Sequence, residues 1–364
     1  MSNKTIVIKI GTNTLFEEDV LRDDVIDSLA VSINELRKEG INFAIVTSGA
    51  VQSGANELNL SERPKNLKEL QVASAVGQVS LINKYKEIFN SHQLNIAQVL
   101  ISKNVLEDRN QFINTTEALN GLISKDIIPV INENDVVATE ELKFGDNDRL
   151  SAIVSILLKA DKLVVITDKE GLFDSDPEKI EEAKKIENIE YNSEELNDLI
   201  PKSSSGKGMG GFSTKIMAAQ MAGFSGIETQ IISWSPNCIN EVVKDSKIGT
   251  IIKPSKKNIK LRKLWIAFGM TIDGEIVIDD GAIEALKADA SLLSKGVTNV
   301  NKSFDENSGV EVKSSENELI ARGVVNFSSK EIQDLKETEN TVVCLLYTSP
   351  SPRDSSESRM PSSA

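Results

Sequence analysis

The sequence predicts a parallel α/β domain followed by a smaller β-rich domain, on three observations. Residues 6–10 and 43–47 are short β-branched runs that end at small residues, as buried parallel strands do. Between them, apolar residues recur at helical spacing from Val25 to Leu36, which indicates a strand, a helix and a second strand. The chain has 364 residues, more than one hydrophobic core usually serves, and this length favours a second domain.

Later apolar runs predict further strands of the same sheet. They lie at residues 127–131, 163–167 and 229–233, and helical patterns precede the first two. Parallel sheets bind their ligands where the strands end, at the carboxyl edge. Small, polar or charged residues follow four of the predicted strands, at residues 9–12, 47–50, 132–135 and 167–168. We therefore expect a polar ligand site at that edge.

Composition and charge argue against several classes of protein. Hydrophobic residues make up 40% of the chain and charged residues 26%, which is ordinary for a globular protein. No apolar run reaches the roughly 18 residues of a membrane span, so a cytoplasmic protein without a membrane partner is predicted. A formal net charge of -14 disfavours nucleic acid as a partner. Two distant cysteines and one histidine, His92, disfavour metal-thiolate sites and a Ser-His-Asp hydrolase.

The chain is predicted to divide at a cluster of basic residues. Residues 1–252 form the α/β domain, and residues 253–273 form a basic linker. Residues 274–343 contain alternating runs with frequent turn residues, which indicates a small, separately folded β-rich domain.

The carboxyl-terminal segment, residues 344–364, is predicted to be disordered. Seven serines and three prolines lie among its last sixteen residues, which cannot bury enough apolar surface to become ordered. The abrupt onset of this composition resembles translated sequencing-adapter sequence. The segment is therefore expected to be non-native and to leave the small domain without its final strand.

A glycine-rich segment, residues 205–215, precedes a helical pattern. Glycines let backbone amides approach phosphate oxygens, and the start of a helix adds partial positive charge, so the segment suits a nucleoside triphosphate. It is not a Walker A loop, because Ser213 and Thr214 precede Lys215 instead of following a lysine. A flexible surface loop with a helix cap at Ser213 is the alternative.

Two lysines are predicted to bind one migrating phosphoryl group. Lys9 ends a strand that looks buried, where its charge needs an anionic partner, and Lys215 follows the glycine-rich segment. Asp148, at the start of a helical run, would hold the two ammonium groups in place. A solvent-exposed lysine and an ordinary helix N-cap are the alternatives.

The acceptor side of the site is predicted from three polar segments. Asn147 and Asp135 are assigned to face the acceptor, and the backbone amides of Ser48, Gly49 and Ala50 could bind a carboxylate. The alternatives are a polar turn at residues 132–135 and a plain helix cap at residues 48–50.

Five motifs in this order and spacing resemble the bacterial glutamate 5-kinases, a family within the wider amino-acid kinases. They are residues 8–12, 46–50, 130–135, 145–148 and 210–215. The resemblance covers residues 5–343, and the Asn-Glu-Asn-Asp segment separates it from other amino-acid kinases. It implies an αβα sandwich with a mainly parallel central sheet. It also implies ATP-dependent phosphorylation of the side-chain carboxylate of L-glutamate, the first step of proline biosynthesis.

Site residues follow from the resemblance by position. The predicted catalytic residues remain Lys9, Asp148 and Lys215. The ATP-binding residues are expected to be Lys9, Thr167, Asp168, Met209, Gly210, Gly211, Phe212, Ser213, Thr214 and Lys215. The glutamate-binding residues are expected to be Ser48, Gly49, Ala50, Asn132, Asp135 and Asn147. Met209 stands where the family often has threonine, which removes a hydroxyl contact but leaves the backbone donors. Magnesium is expected to be held by the ATP phosphates and not by protein ligands.

Two alternatives for the function stay open. One is another amino-acid kinase that acts on aspartate, N-acetylglutamate, carbamate or a nucleoside monophosphate; Asp135 favours free glutamate because it could pair with an α-ammonium group. The other is an RNA-binding or regulatory protein, because residues 274–343 resemble the PUA domain, which binds RNA elsewhere. Seven Lys or Arg against fourteen Asp or Glu in this segment disfavour RNA. A homo-oligomer is also expected, and the resemblance implies feedback inhibition by proline.

Overall fold

The computed structural model describes the chain in ten segments. The chain forms two compact units, and the boundary between them in the sequence lies near residue 258. The described residues are 4–106, 108–137, 146–175, 180, 182–199, 211–244, 247–256, 272–288, 290–335 and 341–348. Most of the predicted basic linker, residues 257–271, lies outside them.

The larger unit is built from alternating strands and helices. Its strands are β1 (Thr5–Ile10), β2 (Phe16–Glu17), β3 (Val20–Leu21), β4 (Asn42–Thr47), β5 (Asn95–Ile101), β6 (Ile127–Glu133), β7 (Lys162–Thr167), β8 (Leu172–Phe173), β9 (Lys185–Ile186), β10 (Asn188–Glu190), β11 (Glu228–Ser233) and β12 (Thr250–Lys253). Its helices are α1 (Thr12–Leu15), α2 (Asp23–Arg37), α3 (Ala50–Glu57), α4 (Leu67–Ser91), α5 (Arg109–Ser124), α6 (Asp146–Leu158), α7 (Glu194–Asp198), α8 (Gly211–Phe224) and α9 (Cys238–Val243).

An eight-stranded, mainly parallel sheet forms the centre of this unit, as the sequence predicts. The strand order is β10-β12-β11-β7-β1-β4-β6-β5. Within this order, the six strands from β11 across to β5 are all parallel. Strand β12 is antiparallel to β11, and β10 is parallel to β12. The five predicted strands are all present, and β5, β10 and β12 were not predicted. These three lie at or next to the sheet edges, where strands need not be continuously apolar.

The middle of the sheet is buried on both faces. Strand β1 pairs in parallel with β4 on one side and with β7 on the other. Ile8 and Ile10 of β1 are fully buried and pack in one core with the apolar face of α2. The paired register places the carboxyl ends of β1, β4 and β7 side by side, so the polar residues that follow these strands are brought together.

Helices α3 and α4 cross in direct backbone contact. A Cβ atom on Gly54 would lie 1.7 Å from the carbonyl oxygen of Ala73, and one on Gly77 would lie 2.0 Å from that of Ala50. Only glycine fits at either position, since real Cβ atoms do not approach that closely. The contact fixes the start of α3, where the predicted site residue Ala50 lies.

The smaller unit is β-rich, as predicted. It consists of β13 (Ile272–Ile278), α10 (Asp280–Lys287), β14 (Leu292–Leu293), β15 (Val297–Asn301), β16 (Gly309–Lys313), β17 (Leu319–Val325), α11 (Ser329–Leu335) and β18 (Val342–Thr348). One sheet contains its strands in the order β14-β18-β17-β16-β13-β15. Its own core includes Ile276, Val310 and Ile332.

Disorder was predicted for residues 344–364, and this prediction is wrong for residues 344–348. These residues belong to β18, which pairs with β17 on one side and with β14 on the other. The serine-rich and proline-rich composition starts only at Ser349, and the apolar residues before it complete a strand. Residues 349–364 lie outside the described residues.

A glycine in the close contact between α3 and α4 and a glycine outside it should respond in opposite ways to substitution by alanine. We expect Gly77→Ala to lower the free energy of unfolding by about 1–3 kcal/mol, because the methyl group collides with backbone atoms. Gly121→Ala in α5 is the control, because nothing lies within 4 Å of its new Cβ atom. It should raise the free energy by about 0.5–1 kcal/mol. Urea unfolding followed by circular dichroism measures both; equal midpoints would contradict the contact.

Candidate active site

A cavity of about 450 Å³ opens at the carboxyl edge of β1, β4, β6 and β7. Residues from both predicted groups line it. They are Lys9, Ser48, Gly49, Ala50, Asn132, Asp135, Asn147, Asp148, Thr167, Asp168, Thr214 and Lys215. The structure therefore brings the predicted ATP-binding and glutamate-binding residues into one site.

Five predicted residues are not among the described residues that line the cavity. Gly211 begins α8, and Phe212 and Ser213 follow in its first turn, where Ser213 is buried. Met209 and Gly210 lie outside the described residues.

Two lysines meet at one buried carboxylate in the cavity. Lys9 Nζ lies 2.6 Å from Oδ1 of Asp148, and Lys215 Nζ lies 3.4 Å from Oδ2 of the same side chain. The hydroxyl of Thr214 also donates to Oδ2, at 2.7 Å. The side chain of Asp148 is only 3% exposed. The charges of the side chains of Lys9, Lys215 and Asp148 sum to one positive charge.

The positions of these residues in the fold explain why Lys9 and Lys215 lie close to Asp148. Lys9 lies on β1 in the middle of the sheet. Gly11 directly follows the strand, and its amide donates to the carbonyl oxygen of Ile166 on β7. Asp148 lies in the first turn of α6, where the helix dipole favours a negative charge. Thr214 and Lys215 lie near the start of α8, which packs against α6.

Burial and charge act in opposite directions on the pKa values of this group. Burial raises the pKa of Asp148, but Lys9, Lys215 and their hydrogen bonds outweigh it, so the pKa lies below its ordinary value of 3.8. Burial lowers the pKa of Lys9 more than Asp148 raises it, and the nearby charge of Lys215 lowers it further. The site therefore has a carboxylate that stays ionised and cations for which a second anion would be favourable.

Side-chain amides form the opposite wall of the cavity. Asn147 Nδ2 donates to the carbonyl oxygen of Thr47 at 3.1 Å, to Ser48 Oγ at 2.9 Å and to Asn132 Oδ1 at 3.0 Å. Gly49, next to Ser48, has a φ of 102°, a left-handed conformation that glycine adopts without strain. A Cβ atom there would also lie 2.6 Å from the ring of Phe16. The turn from β4 into α3 therefore depends on glycine.

Asp135 adds a carboxylate to this wall. It begins a short 3₁₀ turn after β6, and Ser74 of α4 donates a hydrogen bond to it at 2.5 Å. Burial raises the pKa of Asp135, and the hydrogen bond from Ser74 and the charge of Arg63 partly offset that rise.

Thr167 and Asp168 follow β7 at the other end of the cavity. Thr167 Oγ1 donates to Asp168 Oδ1 at 2.9 Å, and Asn13 Nδ2 donates to Oδ2 at 3.4 Å. Partial burial raises the pKa of Asp168, but these hydrogen bonds outweigh it and leave the pKa below its ordinary value.

Four lining or supporting residues were not among the predicted site residues. Asn13 directly follows a predicted motif, so its position alone was a signal. Ser74 and Gln78 are buried polar residues four positions apart on α4, and this helical spacing could have indicated a polar face. Arg63 lines the cavity from the segment before α4, and no pattern in the sequence indicates it.

Two features are absent from the described residues. None of their helices is long and apolar enough to cross a membrane. No group of three or more His, Cys, Asp or Glu side chains within these residues could hold a metal ion.

Family comparisons define the class of protein. Residues 4–233 match the amino acid kinase family, and residues 274–342 match the PUA domain. The chain belongs to the amino acid kinase family and is a phosphotransferase with an appended PUA domain. The fold agrees with a solved structure, carbamate kinase from Giardia lamblia bound to AMP-PNP. That structure has a TM-score of 0.51 and 18% identity, and the match covers 70% of this chain and 100% of that one.

Curated relatives of this chain carry a name that is more specific than the family. The glutamate 5-kinase of Thermoanaerobacter sp. (strain X514) is 39% identical over 334 residues, which are 91% of this chain and 90% of the relative. The glutamate 5-kinase of Prochlorococcus marinus (strain MIT 9301) is 40% identical over 354 residues, 94% of this chain and 98% of the relative. The similarity to proteins of this name therefore extends over both units.

The shared carboxylate predicts how stability depends on pH. Because the folded-state pKa of Asp148 is lowered, its stabilising effect is present above pH 3.8 and is lost as the pH falls further. We expect Asp148→Asn to lower the free energy of unfolding by about 3–5 kcal/mol at pH 7, because the ammonium groups of buried Lys9 and half-buried Lys215 lose the carboxylate that they share. The difference from wild type should shrink as the pH falls below 3.8.

Urea titrations at several pH values measure this difference. Asp161→Asn is a control for the loss of a carboxylate outside the cavity, since Asp161 accepts a backbone hydrogen bond from Thr5. A difference between wild type and Asp148→Asn that does not change with pH would contradict the lowered pKa.

Proposed function

We propose that the chain transfers the γ-phosphoryl group of ATP to the side-chain carboxylate of L-glutamate. The products are ADP and L-glutamyl 5-phosphate, and the reaction is the first step of proline biosynthesis. The observation that carries the proposal is the pair of lysines on one buried aspartate, in a cavity whose other wall presents amides and a carboxylate. The relatives named glutamate 5-kinase support this acceptor.

The reaction needs charge neutralisation more than proton transfer. A glutamate side chain has a pKa of about 4.3, so the attacking oxygen is already ionised at neutral pH and no general base is required. The oxygen attacks the γ-phosphorus, the bond from phosphorus to the β–γ bridging oxygen breaks, and ADP leaves with that electron pair. Lys9 and Lys215 would stabilise the negative charge on the migrating group, while Asp148 holds both ammonium groups in place.

The far wall of the cavity suits the backbone end of a free amino acid. Asp135 and the Oδ1 atom of Asn147 are acceptors that could bind an α-ammonium group. An N-acetylated acceptor lacks that charge, and a carbamate or a nucleoside monophosphate lacks the group altogether. The backbone amides of residues 48–50 could bind the α-carboxylate.

The nucleotide end is assigned to Thr167, Asp168 and the start of α8. Magnesium would bind the phosphate oxygens of ATP, where it would neutralise further negative charge. Feedback inhibition by proline, a homo-oligomeric state and a cytoplasmic location are parts of the same proposal. Their support is the likeness to the glutamate 5-kinases.

A panel of acceptors tests the substrate. Purified protein with MgATP should form ADP with L-glutamate at least about 10-fold faster than with aspartate, N-acetylglutamate, carbamate or UMP, because only a matched acceptor fills the site. Hydroxylamine should trap the acyl phosphate as a hydroxamate. Preference for another acceptor would overturn the assignment to glutamate, and tight RNA binding in a low-salt filter assay without turnover would favour the RNA-binding alternative.

Removal of one lysine tests the phosphate site. We expect Lys215→Ala to lower kcat by about 10²- to 10³-fold, because one of two cations on the migrating group is lost. Lys253→Ala is the control, because Lys253 is half exposed at the end of β12, outside the cavity lining. Circular dichroism checks that both variants fold. Unchanged turnover in folded Lys215→Ala would rule out the role of Lys215.

A further inference from the structure

A chain of three side-chain amides, two buried and one half-buried, runs from α4 to the cavity. Gln78 of α4 is 8% exposed, and Asn132 of β6 is 2% exposed. Asn132 Nδ2 donates to Gln78 Oε1 at 2.9 Å, and Asn132 Oδ1 accepts from Asn147 Nδ2 at 3.0 Å. Asn132 and Asn147 line the cavity, whereas Gln78 lies behind them and is not part of the lining.

Backbone groups fix the direction of donation along this chain. The amide of Glu133 donates to Asn132 Oδ1 at 2.9 Å, so that atom is an oxygen and the Nδ2 group must face Gln78. At the other end, the carbonyl oxygen of Thr47 accepts from Asn147, so Asn147 must present Nδ2 there. A reversal of one amide would place donor against donor and acceptor against acceptor.

The direction of donation leaves one atom available for substrate. Asn147 Nδ2 already has three acceptors, in Thr47, Ser48 and Asn132. Its Oδ1 atom is buried and has no hydrogen-bond partner within the described part of the chain. A buried carbonyl oxygen without a partner is costly, so this atom is poised for a donor such as an ammonium group.

We propose that Gln78 is a positioning residue that keeps Asn147 Oδ1 turned towards the α-ammonium group of the amino-acid substrate. It acts through Asn132: without an acceptor at position 78, the buried Nδ2 group of Asn132 is unsatisfied. Asn132 then shifts towards another acceptor for Nδ2, which weakens the hydrogen bond that its Oδ1 atom accepts from Asn147. Asn147 keeps its acceptors at Thr47 and Ser48 and therefore its orientation, but its Oδ1 atom is held less firmly in place.

A merely structural role for Gln78 needs to be separated from this one. Gln78 follows Gly77, which lies in the close contact between α3 and α4, so a substitution could disturb the site through packing alone. Packing damage would weaken the binding of all acceptors alike. Loss of the fixed position of Asn147 Oδ1 weakens only the binding of acceptors that have an ammonium group, and this difference can be measured.

The test compares L-glutamate with glutarate, which has the same two carboxylates and no ammonium group. The inference rests on the proposed function, so the wild type should prefer glutamate in kcat/KM. We expect Gln78→Met, which keeps the side-chain length and removes the acceptor, to lower that preference at least about 10-fold, chiefly through KM for glutamate. Gln78→Glu, which keeps an acceptor oxygen, should retain the preference within about threefold.

Controls separate the outcomes. Gln98→Met makes the same replacement at an exposed site on β5 and should change neither acceptor. Equal losses for glutamate and glutarate in Gln78→Met, or a loss in Gln78→Glu as large as in Gln78→Met, would overturn the positioning role and leave the proposed function intact. If Gln78→Met does not fold, the test rests on Gln78→Glu: a retained preference for glutamate supports the positioning role, and a lost preference overturns it. A wild type that phosphorylates neither acceptor would overturn both.

Discussion

The site depends on the carboxylate of Asp148, which two lysines share inside the protein. A buried lysine alone would lose its proton or disrupt the fold, because burial lowers its pKa. One carboxylate between two ammonium groups balances one of their two positive charges. In the proposed reaction, a phosphate group that enters the cavity would bring further negative charge to these two lysines. A chain with a net charge of -14 can in this way bind a polyanion that its overall field repels.

The sheet explains how residues so far apart in sequence reach this carboxylate. Strands β1, β4 and β7 are neighbours in a parallel register, so the segments that follow them share one edge. Helices α6 and α8 pack against each other, and each contributes side chains from its first turns. The direct contact between α3 and α4 then closes the far side, because Gly54 and Gly77 allow α4 to approach the turn at residues 48–50.

Much of this arrangement could be predicted from the sequence, and the parts that could not have physical reasons. The central strands are continuously apolar runs, and glycine or polar residues at their ends are local signals. Strands β5, β10 and β12 lie at or beside the sheet edges, and their residues lack that pattern. The cavity residues within motifs were predicted, whereas Ser74, Gln78 and Arg63 support or line the site from α4 and the segment before it. Their roles depend on tertiary contacts, which short-range patterns in a sequence do not show.

The two walls of the cavity solve opposite electrostatic problems. The proposed reaction brings a carboxylate towards a triphosphate, and both reactants are anions. One wall has an excess of positive charge at Lys9 and Lys215, which suits the phosphate. The other has acceptors at Asp135 and Asn147 Oδ1, which suit the only cationic group of the amino acid. Neutral amides serve that wall well, because their donors can be satisfied by backbone and side-chain acceptors while one oxygen stays available. A second ionised carboxylate in place of Asn147 would stand next to Asp148, and repulsion between them would raise the pKa of both.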